Sequence, residues 1–174
     1  GGLASLIAAY HRLRSGQRSV RPDPRRGHAE DFLRMVTGKR PTRRHARIMD
    51  VAMVLYADHS MNASTFAATV AASTLADLYS AIVAAIATLK GPLHGGAIEA
   101  SYNTIRAIGR PEAAEEHVLG ILRSGGKVFG FGHRVYKTYD PRALLFREVV
   151  RELSEEAEQP ELFQVAEAIQ ETVV

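Results

Sequence analysis

The spacing of apolar positions predicts helices along most of the chain. Apolar residues recur three and four positions apart in Leu3–Leu13 and again in His28–Val36 and Arg44–Leu55. The segments between them contain residues that interrupt a helix, among them Ser15-Gly16 and Arg21-Pro22-Asp23-Pro24. The first third of the chain therefore predicts three helices separated by short loops.

The second half of the chain repeats this arrangement. Gly95-Gly96 begins a segment with helical spacing that extends to about Ile108, and Pro111 begins another that ends near Ser124. Asp140-Pro141 has the residue types that favour a helix start, and Pro160 separates the last two helices. Because no stretch alternates as a strand does, the sequence predicts an all-α fold.

An alanine-rich stretch, Ala63–Leu89, contains one charged residue, Asp77. Such a stretch is long enough to be weighed as a membrane span. However, Ala, Ser and Thr fill most of its positions, and Ser73 to Asp77 reads as a helix end followed by a new cap. We therefore expect two buried helices in a large core or an interface, rather than a membrane helix.

Charge is distributed unevenly. Residues 1–50 carry 12 Lys and Arg against 4 Asp and Glu, whereas residues 51–174 carry 10 against 15. A basic N-terminal third is compatible with nucleic-acid binding, with a solvated arginine-rich surface, or with attraction of an anionic small molecule. Because no nucleic-acid motif accompanies the charge, we expect no nucleic-acid partner.

The absence of cysteine excludes a disulfide framework, a thiolate nucleophile and a cysteine-based metal site. It suits a reducing compartment, and together with the lack of a signal pattern it leads us to expect a cytoplasmic protein. The chain begins at Gly1-Gly2 without an initiator Met, which favours a portion of something longer.

Three histidines, His59, His94 and His133, lie at predicted breaks between helices. His94 directly precedes Gly95-Gly96 and a helix start, where the positive end of the helix disfavours imidazolium. A neutral imidazole there can donate a hydrogen bond to a thioester carbonyl as it becomes an enolate. A turn in which the glycines serve chain reversal alone is the competing interpretation.

Two further features suit the binding of anionic ligands. The glycines of Gly130-Phe131-Gly132-His133 expose backbone groups that can contact an adenine or a phosphate. Arg142 stands at the start of a helix, behind Asp140-Pro141, where it can hold a carboxylate with two parallel hydrogen bonds. A solvated arginine on an exposed first turn is the alternative.

These residues belong to four blocks that resemble the signature sequences of the citrate synthase family, in order and spacing. The resemblance extends over essentially all 174 residues. The four blocks are Ala57-Asp58-His59-Ser60-Met61-Asn62-Ala63-Ser64-Thr65-Phe66, Leu89-Lys90-Gly91-Pro92-Leu93-His94-Gly95-Gly96-Ala97, Gly130-Phe131-Gly132-His133-Arg134-Val135-Tyr136-Lys137 and Asp140-Pro141-Arg142.

The resemblance implies a helical homodimer that condenses acetyl-CoA with oxaloacetate to give citrate and CoA, with no permanently bound cofactor and no metal. Residues 1–95 would belong to a large domain, with dimer-forming helices at about 63–89, and residues 96–174 to a small CoA-binding domain. His94 and His133 would be catalytic, polarising the thioester and oxo-acid carbonyls, and His59 and Arg142 would hold the oxo acid. Coenzyme A would be bound by Lys127, Val128, Phe129, Gly130 and Phe131.

Two departures accompany the resemblance. The family commonly has Gly-Gly-Ala-Asn-Glu where this chain has Gly95-Gly96-Ala97-Ile98-Glu99, so one amide side chain beside His94 is replaced by an apolar one. The family's catalytic aspartate lies C-terminal to the last helix of this chain, and its N-terminal part precedes residue 1. We therefore expect the 174 residues alone to be catalytically inactive.

Other interpretations stay open. Use of propionyl-CoA, giving 2-methylcitrate, differs by one methyl group, which motifs do not resolve. A catalytically silent fragment or paralogue that only binds CoA is a second possibility. A zinc site built from His59, His94 and His133 is a third, which no short ligand spacing supports.

Overall fold

The computed structural model describes residues 2–58, 60–132 and 139–173, and these form helices and connecting loops without a β-strand. The all-α prediction is confirmed. The helices are α1 (Gly2–Arg14), α2 (His28–Thr37), α3 (Arg43–Leu55), α4 (Ala63–Ser73), α5 (Leu78–Leu89), α6 (Gly96–Ile108), α7 (Ala114–Arg123), α8 (Pro141–Glu156) and α9 (Pro160–Val173).

The chain divides into two compact units, residues 1–59 and residues 60–174. In the first unit α2 packs against both α1 and α3. Gly38 ends α2 in the left-handed conformation (φ 76°), and a β-carbon there would lie 2.6 Å from Nη1 of Arg12. The guanidinium of Arg12 lies against Gly38 and donates from Nη1 to the Val36 carbonyl (3.2 Å). This hydrogen bond joins α1 to the end of α2.

The proline-containing loop between α1 and α2 is fixed by the carboxylate of Asp23. That carboxylate accepts hydrogen bonds from the backbone N–H and Nε of Arg25 (3.1 and 3.0 Å) and from Nε of Arg26 (3.2 Å). The backbone N–H of Asp23 donates in turn to Asp31 of α2 (3.0 Å). Hydrogen bonds from Arg25 lower the pKa of Asp23 to about 2. Part of the N-terminal positive charge therefore serves internal ion pairs.

The second unit contains a helical hairpin and a separate apolar core. In the hairpin, α4 packs against α5, and Asp77 caps α5 by accepting from the backbone N–H and the hydroxyl of Ser80 (both 2.9 Å). These hydrogen bonds, the backbone one foremost, lower the pKa of Asp77. The structure thus confirms two helices within Ala63–Leu89, and no helix of the described residues is long and apolar enough to cross a membrane.

The apolar core of the second unit lies where α9 packs against α6 and α7. Its buried members are Ile108, Ala114, Val118, Val128, Val165 and Ile169. Val128 comes from the loop after α7, so the predicted CoA-binding loop is attached to this core. The predicted domain division at residues 95 and 96 stays a prediction.

We predict that Asp23→Asn lowers stability at neutral pH but hardly at low pH. The carboxylate pKa is lowered from 3.8 to about 2, so its stabilising effect is present above pH 3.8 and is lost as the pH falls through about 2. Urea unfolding of both proteins at about pH 6 and about pH 2 measures this. Asp50→Asn, at a carboxylate whose side chain is 53% exposed, is the control. An equal loss at both pH values would contradict the prediction.

Candidate active site

His94 lies in the turn that joins α5 to α6, and its backbone is held on both sides. The Gly91 carbonyl accepts hydrogen bonds from the N–H groups of His94 (3.0 Å) and Gly96 (3.2 Å). The His94 carbonyl accepts from Ala97 in the first turn of α6 (3.1 Å). The imidazole is half-buried. The turn therefore fixes the position from which this side chain extends.

The two glycines after His94 are required by close packing within the chain. A β-carbon on Gly95 would lie 2.6 Å from the Leu89 carbonyl oxygen and 2.7 Å from Cδ1 of Leu89. A β-carbon on Gly96 would lie 2.9 Å from the Gly91 carbonyl oxygen. All three distances are shorter than real β-carbon contacts, so the end of α5 and the following turn occupy the space that a side chain at either glycine would need.

The imidazole of His94 is joined to the start of α4 by a hydrogen-bonded chain. Its Nε2 lies 2.9 Å from Oγ of Ser64, and that hydroxyl donates to Oδ1 of Asn62 (2.7 Å). Oδ1 of Asn62 also accepts from the backbone N–H of Thr65 (2.9 Å), as the N-cap of α4. Because Thr65 N–H is a donor, its partner atom is the amide oxygen rather than the nitrogen.

The Ser64 hydroxyl controls which nitrogen of His94 carries the proton. Ser64 has one proton to donate, and here it goes to Asn62, so its oxygen accepts from Nε2–H of His94. If the hydroxyl turns its proton toward Nε2, a neutral ring carries its proton on Nδ1 and can donate from there. The sequence pattern assigns no role to Asn62 or Ser64. The available signal was Asn62, a preferred capping residue directly after a polar break.

The predicted CoA-binding loop is held by two apolar side chains. Val128 is buried in the core, and Phe131 packs against it. Gly130 has a φ of 97°, and a β-carbon there would lie 3.2 Å from Oγ of Ser101 on α6. Lys127 and Gly130 are exposed, while Phe129 is half-buried. The loop therefore rests on α6 and leaves an ammonium group and glycine backbone accessible to a ligand.

Arg142 is bound by a carboxylate of its own chain. The backbone N–H and Nε of Arg142 donate to Oδ1 of Asp140 (3.0 and 2.9 Å), and Nη2 donates to Oδ2 (2.5 Å). The predicted N-cap is thus confirmed, and Asp140 also fixes the guanidinium, whose side chain is 16% exposed. An oxo-acid carboxylate would have to share this guanidinium with Asp140.

His59 and His133, two of the four predicted catalytic and oxo-acid-binding residues, lie outside the described residues, and their roles stay predictions. Among the described residues, no group of three or more His, Asp and Glu side chains could hold a metal ion. Because the zinc hypothesis requires both of these histidines, it is not tested by this finding.

We predict that Gly95→Ala destabilises the fold by about 1–3 kcal/mol, as overpacking commonly does. The added methyl group meets a backbone carbonyl, and moving that carbonyl displaces His94 from Ser64. Urea unfolding measures the stability, and imidazole ¹⁵N shifts report on the His94–Ser64 hydrogen bond.

Gly120→Ala is the matched control for this prediction. Gly120 lies inside α7 with nothing within 4 Å of its β-carbon position. Alanine there is expected to stabilise the helix by about 0.5–1 kcal/mol. A Gly95→Ala protein as stable as the wild type, with unchanged ¹⁵N shifts, would show that the close approach does not fix His94.

Comparison with known proteins finds similarity to citrate synthases over nearly the whole chain. The family description "Citrate synthase, C-terminal domain" matches residues 1–174. Citrate synthase of Deinococcus radiodurans is 44% identical over 171 residues, which are 98% of this chain and 45% of that protein. The chain thus spans less than half the length of this relative.

Solved structures agree in fold over nearly the whole chain. The crystal structure of citrate synthase from Pyrobaculum aerophilum superposes with a TM-score of 0.88 at 46% identity, covering 98% of this chain and 42% of that one. Citrate synthase of Thermoplasma acidophilum, in a ternary complex with carboxymethyl coenzyme A and oxaloacetate, gives a TM-score of 0.92 at 38% identity, covering 97% and 45%. The chain therefore belongs to the citrate synthase family.

Proposed function

We propose that this chain supplies the His94 portion of an active site that condenses acetyl-CoA with oxaloacetate to give citrate and CoA. The observation that carries the proposal is the hydrogen bond between Nε2 of His94 and the hydroxyl of Ser64 (2.9 Å). It holds an imidazole at the start of α6, the helix against which the predicted CoA-binding loop rests. The comparison with a citrate synthase bound to a CoA derivative and oxaloacetate supports the same assignment.

The proposed role of His94 follows from the chemistry of a thioester. Its α-proton is weakly acidic, so its removal requires a base and a donor that stabilises negative charge on the carbonyl oxygen. We assign the donor to Nδ1–H of His94. This state requires the Ser64 hydroxyl to leave Oδ1 of Asn62, to which it donates in the structure, and to donate to Nε2 instead. In that state the ring is neutral and its proton is directed away from Ser64.

The enolate carbon then attacks the oxaloacetate keto carbon, and the resulting alkoxide takes up a proton. We assign contact with that keto oxygen to His133, and contact with the carboxylates to His59 and Arg142. Water finally hydrolyses the citryl thioester, which breaks the carbon–sulfur bond and releases CoA thiol together with citrate.

The base is the part of the site that these 174 residues do not supply. The resemblance places it in a carboxylate block C-terminal to α9, and no described Asp or Glu lies in that context. Loss of a positioned general base alone costs about 10²–10⁴ in rate. The 174-residue chain is therefore proposed to bind coenzyme A thioesters without turning them over.

We predict that Ser64→Ala lowers kcat by about tenfold or more in a protein that carries these residues together with the carboxylate block, because the alanine cannot hold the donating tautomer of His94. The measurement is oxaloacetate-dependent release of CoA thiol, with acetyl-CoA and propionyl-CoA in separate assays. The 174 residues contribute no cysteine to the background. The preferred thioester distinguishes citrate from 2-methylcitrate formation.

Ser73→Ala, a serine at the far end of α4 whose hydroxyl bonds to the Val70 carbonyl, is the control and should leave kcat unchanged. An unaltered kcat in Ser64→Ala would remove Ser64 from the mechanism. No CoA release with either thioester from the wild-type longer protein would instead favour a silent paralogue that only binds CoA.

The hairpin α4–α5 is proposed to form a homodimer interface. Several of its apolar side chains are strongly exposed in the single chain, among them Phe66 (60%), Leu78 (71%) and Tyr79 (80%). Apolar exposure of this extent is typical of an association surface.

We predict that Tyr79→Lys shifts the chain from dimer to monomer in sedimentation velocity, because two buried ammonium groups would be brought into the interface. Tyr102→Lys, at an exposed tyrosine on α6, is the matched control and should leave the sedimentation coefficient unchanged. A wild-type chain that sediments as a monomer at all concentrations would contradict the dimer.

A further inference from the structure

One face of α6 connects His94 to the predicted CoA-binding loop. Ile98, Ser101, Ile105 and Ile108 recur at spacings of three and four and therefore share that face. At its C-terminal end Ile108 is buried in the core and Ile105 packs against it. At its middle, Ser101 lies against Gly130 of the loop. From Ile108 back to Ser101, this stripe of residues on α6 is therefore covered by the rest of the protein.

Ile98 is the exception on this face. Its side chain is 64% exposed, although it is apolar and belongs to the same stripe as two core residues. It lies in the first turn of α6, where its N–H donates to the Gly95 carbonyl (3.2 Å), four residues after His94. With a rise of about 1.5 Å per residue, Ile98 is about 4.5 Å along the helix from Ser101. Ile98 thus lies between the His94 turn and the loop.

We infer that Ile98 is a binding residue for the thioester end of the pantetheine arm of acyl-CoA. The inference rests on the proposed function, in which His94 contacts the thioester carbonyl and the loop at 127–131 contacts coenzyme A. An arm that joins these two contacts has to cross the face of α6 at Ile98. Next to the sulfur the arm consists of methylene groups, which an exposed isoleucine covers favourably.

The amide that the family commonly has at this position would instead offer hydrogen bonds. An apolar side chain gives this chain a contact with the methylene groups and the sulfur of the thioester, which prefer an apolar neighbour. The contact is made by the arm and not by the nucleotide, which separates it from the contacts of Lys127. This difference makes the inference testable by binding alone.

The experiment compares the affinities of two probes for the 174-residue chain by isothermal titration calorimetry. Acetyl-CoA contains the pantetheine arm, whereas adenosine 3′,5′-bisphosphate contains the nucleotide without it. We expect Ile98→Ala to weaken acetyl-CoA binding about tenfold, since the apolar groups of the isoleucine are removed from the contact. Binding of the bisphosphate is expected to stay unchanged, and Ile98→Val to remain within about threefold of wild type.

Val150→Ala is the matched control, because it truncates an exposed β-branched residue of α8 in the same unit. It should change neither affinity, and circular dichroism should show the same helix content in all variants.

Equal weakening of the binding of both probes by Ile98→Ala, or no weakening of either, would overturn the inference. A wild-type chain that binds the bisphosphate as tightly as acetyl-CoA would overturn it too, while leaving CoA binding by the loop intact. A wild-type chain that binds neither probe would refute the proposed function, and the inference with it.

Discussion

The candidate site depends on the close approach between the end of α5 and the beginning of α6. Leu89 and the Gly91 carbonyl occupy the space in which side chains at Gly95 and Gly96 would stand, so neither position accepts a β-carbon without displacement of backbone. The same carbonyl accepts two hydrogen bonds from this turn. Because close packing and hydrogen bonding both favour the same backbone conformation of this turn, the backbone of His94 is fixed before any ligand is bound.

The hairpin α4–α5 contributes to the site from both of its ends. Its first turn supplies Ser64, which hydrogen-bonds to His94 and is itself held by Asn62, and its last turn leads into the α5–α6 turn that contains His94. The N-cap of α4 and the contact to Ser64 therefore share one oxygen, Oδ1 of Asn62. If the exposed apolar side chains of this hairpin form a dimer interface, association stabilises the elements that orient the imidazole. Assembly and catalysis would then be linked through a single supersecondary unit.

Local signals allowed the helices to be predicted, whereas contacts between distant residues could not be. Asp140, Pro141 and Pro160 mark helix starts because capping and proline stereochemistry act within a few residues. The contact between Ser64 and His94 joins residues 30 apart, and no periodicity reports it. Asp140 was predicted as a cap. Its hydrogen bond with the Arg142 guanidinium depends on the side-chain rotamer of Arg142, which the sequence does not specify. Gly95 and Gly96 were singled out from the sequence, but the sequence does not show that packing against Leu89 and the Gly91 carbonyl is what excludes a side chain there.

The core beneath the glycine-rich loop explains how the loop is held at a defined distance from His94. Val128 and Phe131 bind the loop to the core that also holds Ile105 and Ile108 of α6. A β-carbon on Gly130 would lie 3.2 Å from Oγ of Ser101 of α6, so the loop is in close contact with that helix. The loop and the turn that contains His94 are therefore both attached to α6. The number of residues between Ser101 and the α5–α6 turn determines the distance between them. In the proposed function, a pantetheine arm that contacts both ends has to match that distance, which makes α6 the element that determines how the thioester carbonyl reaches His94.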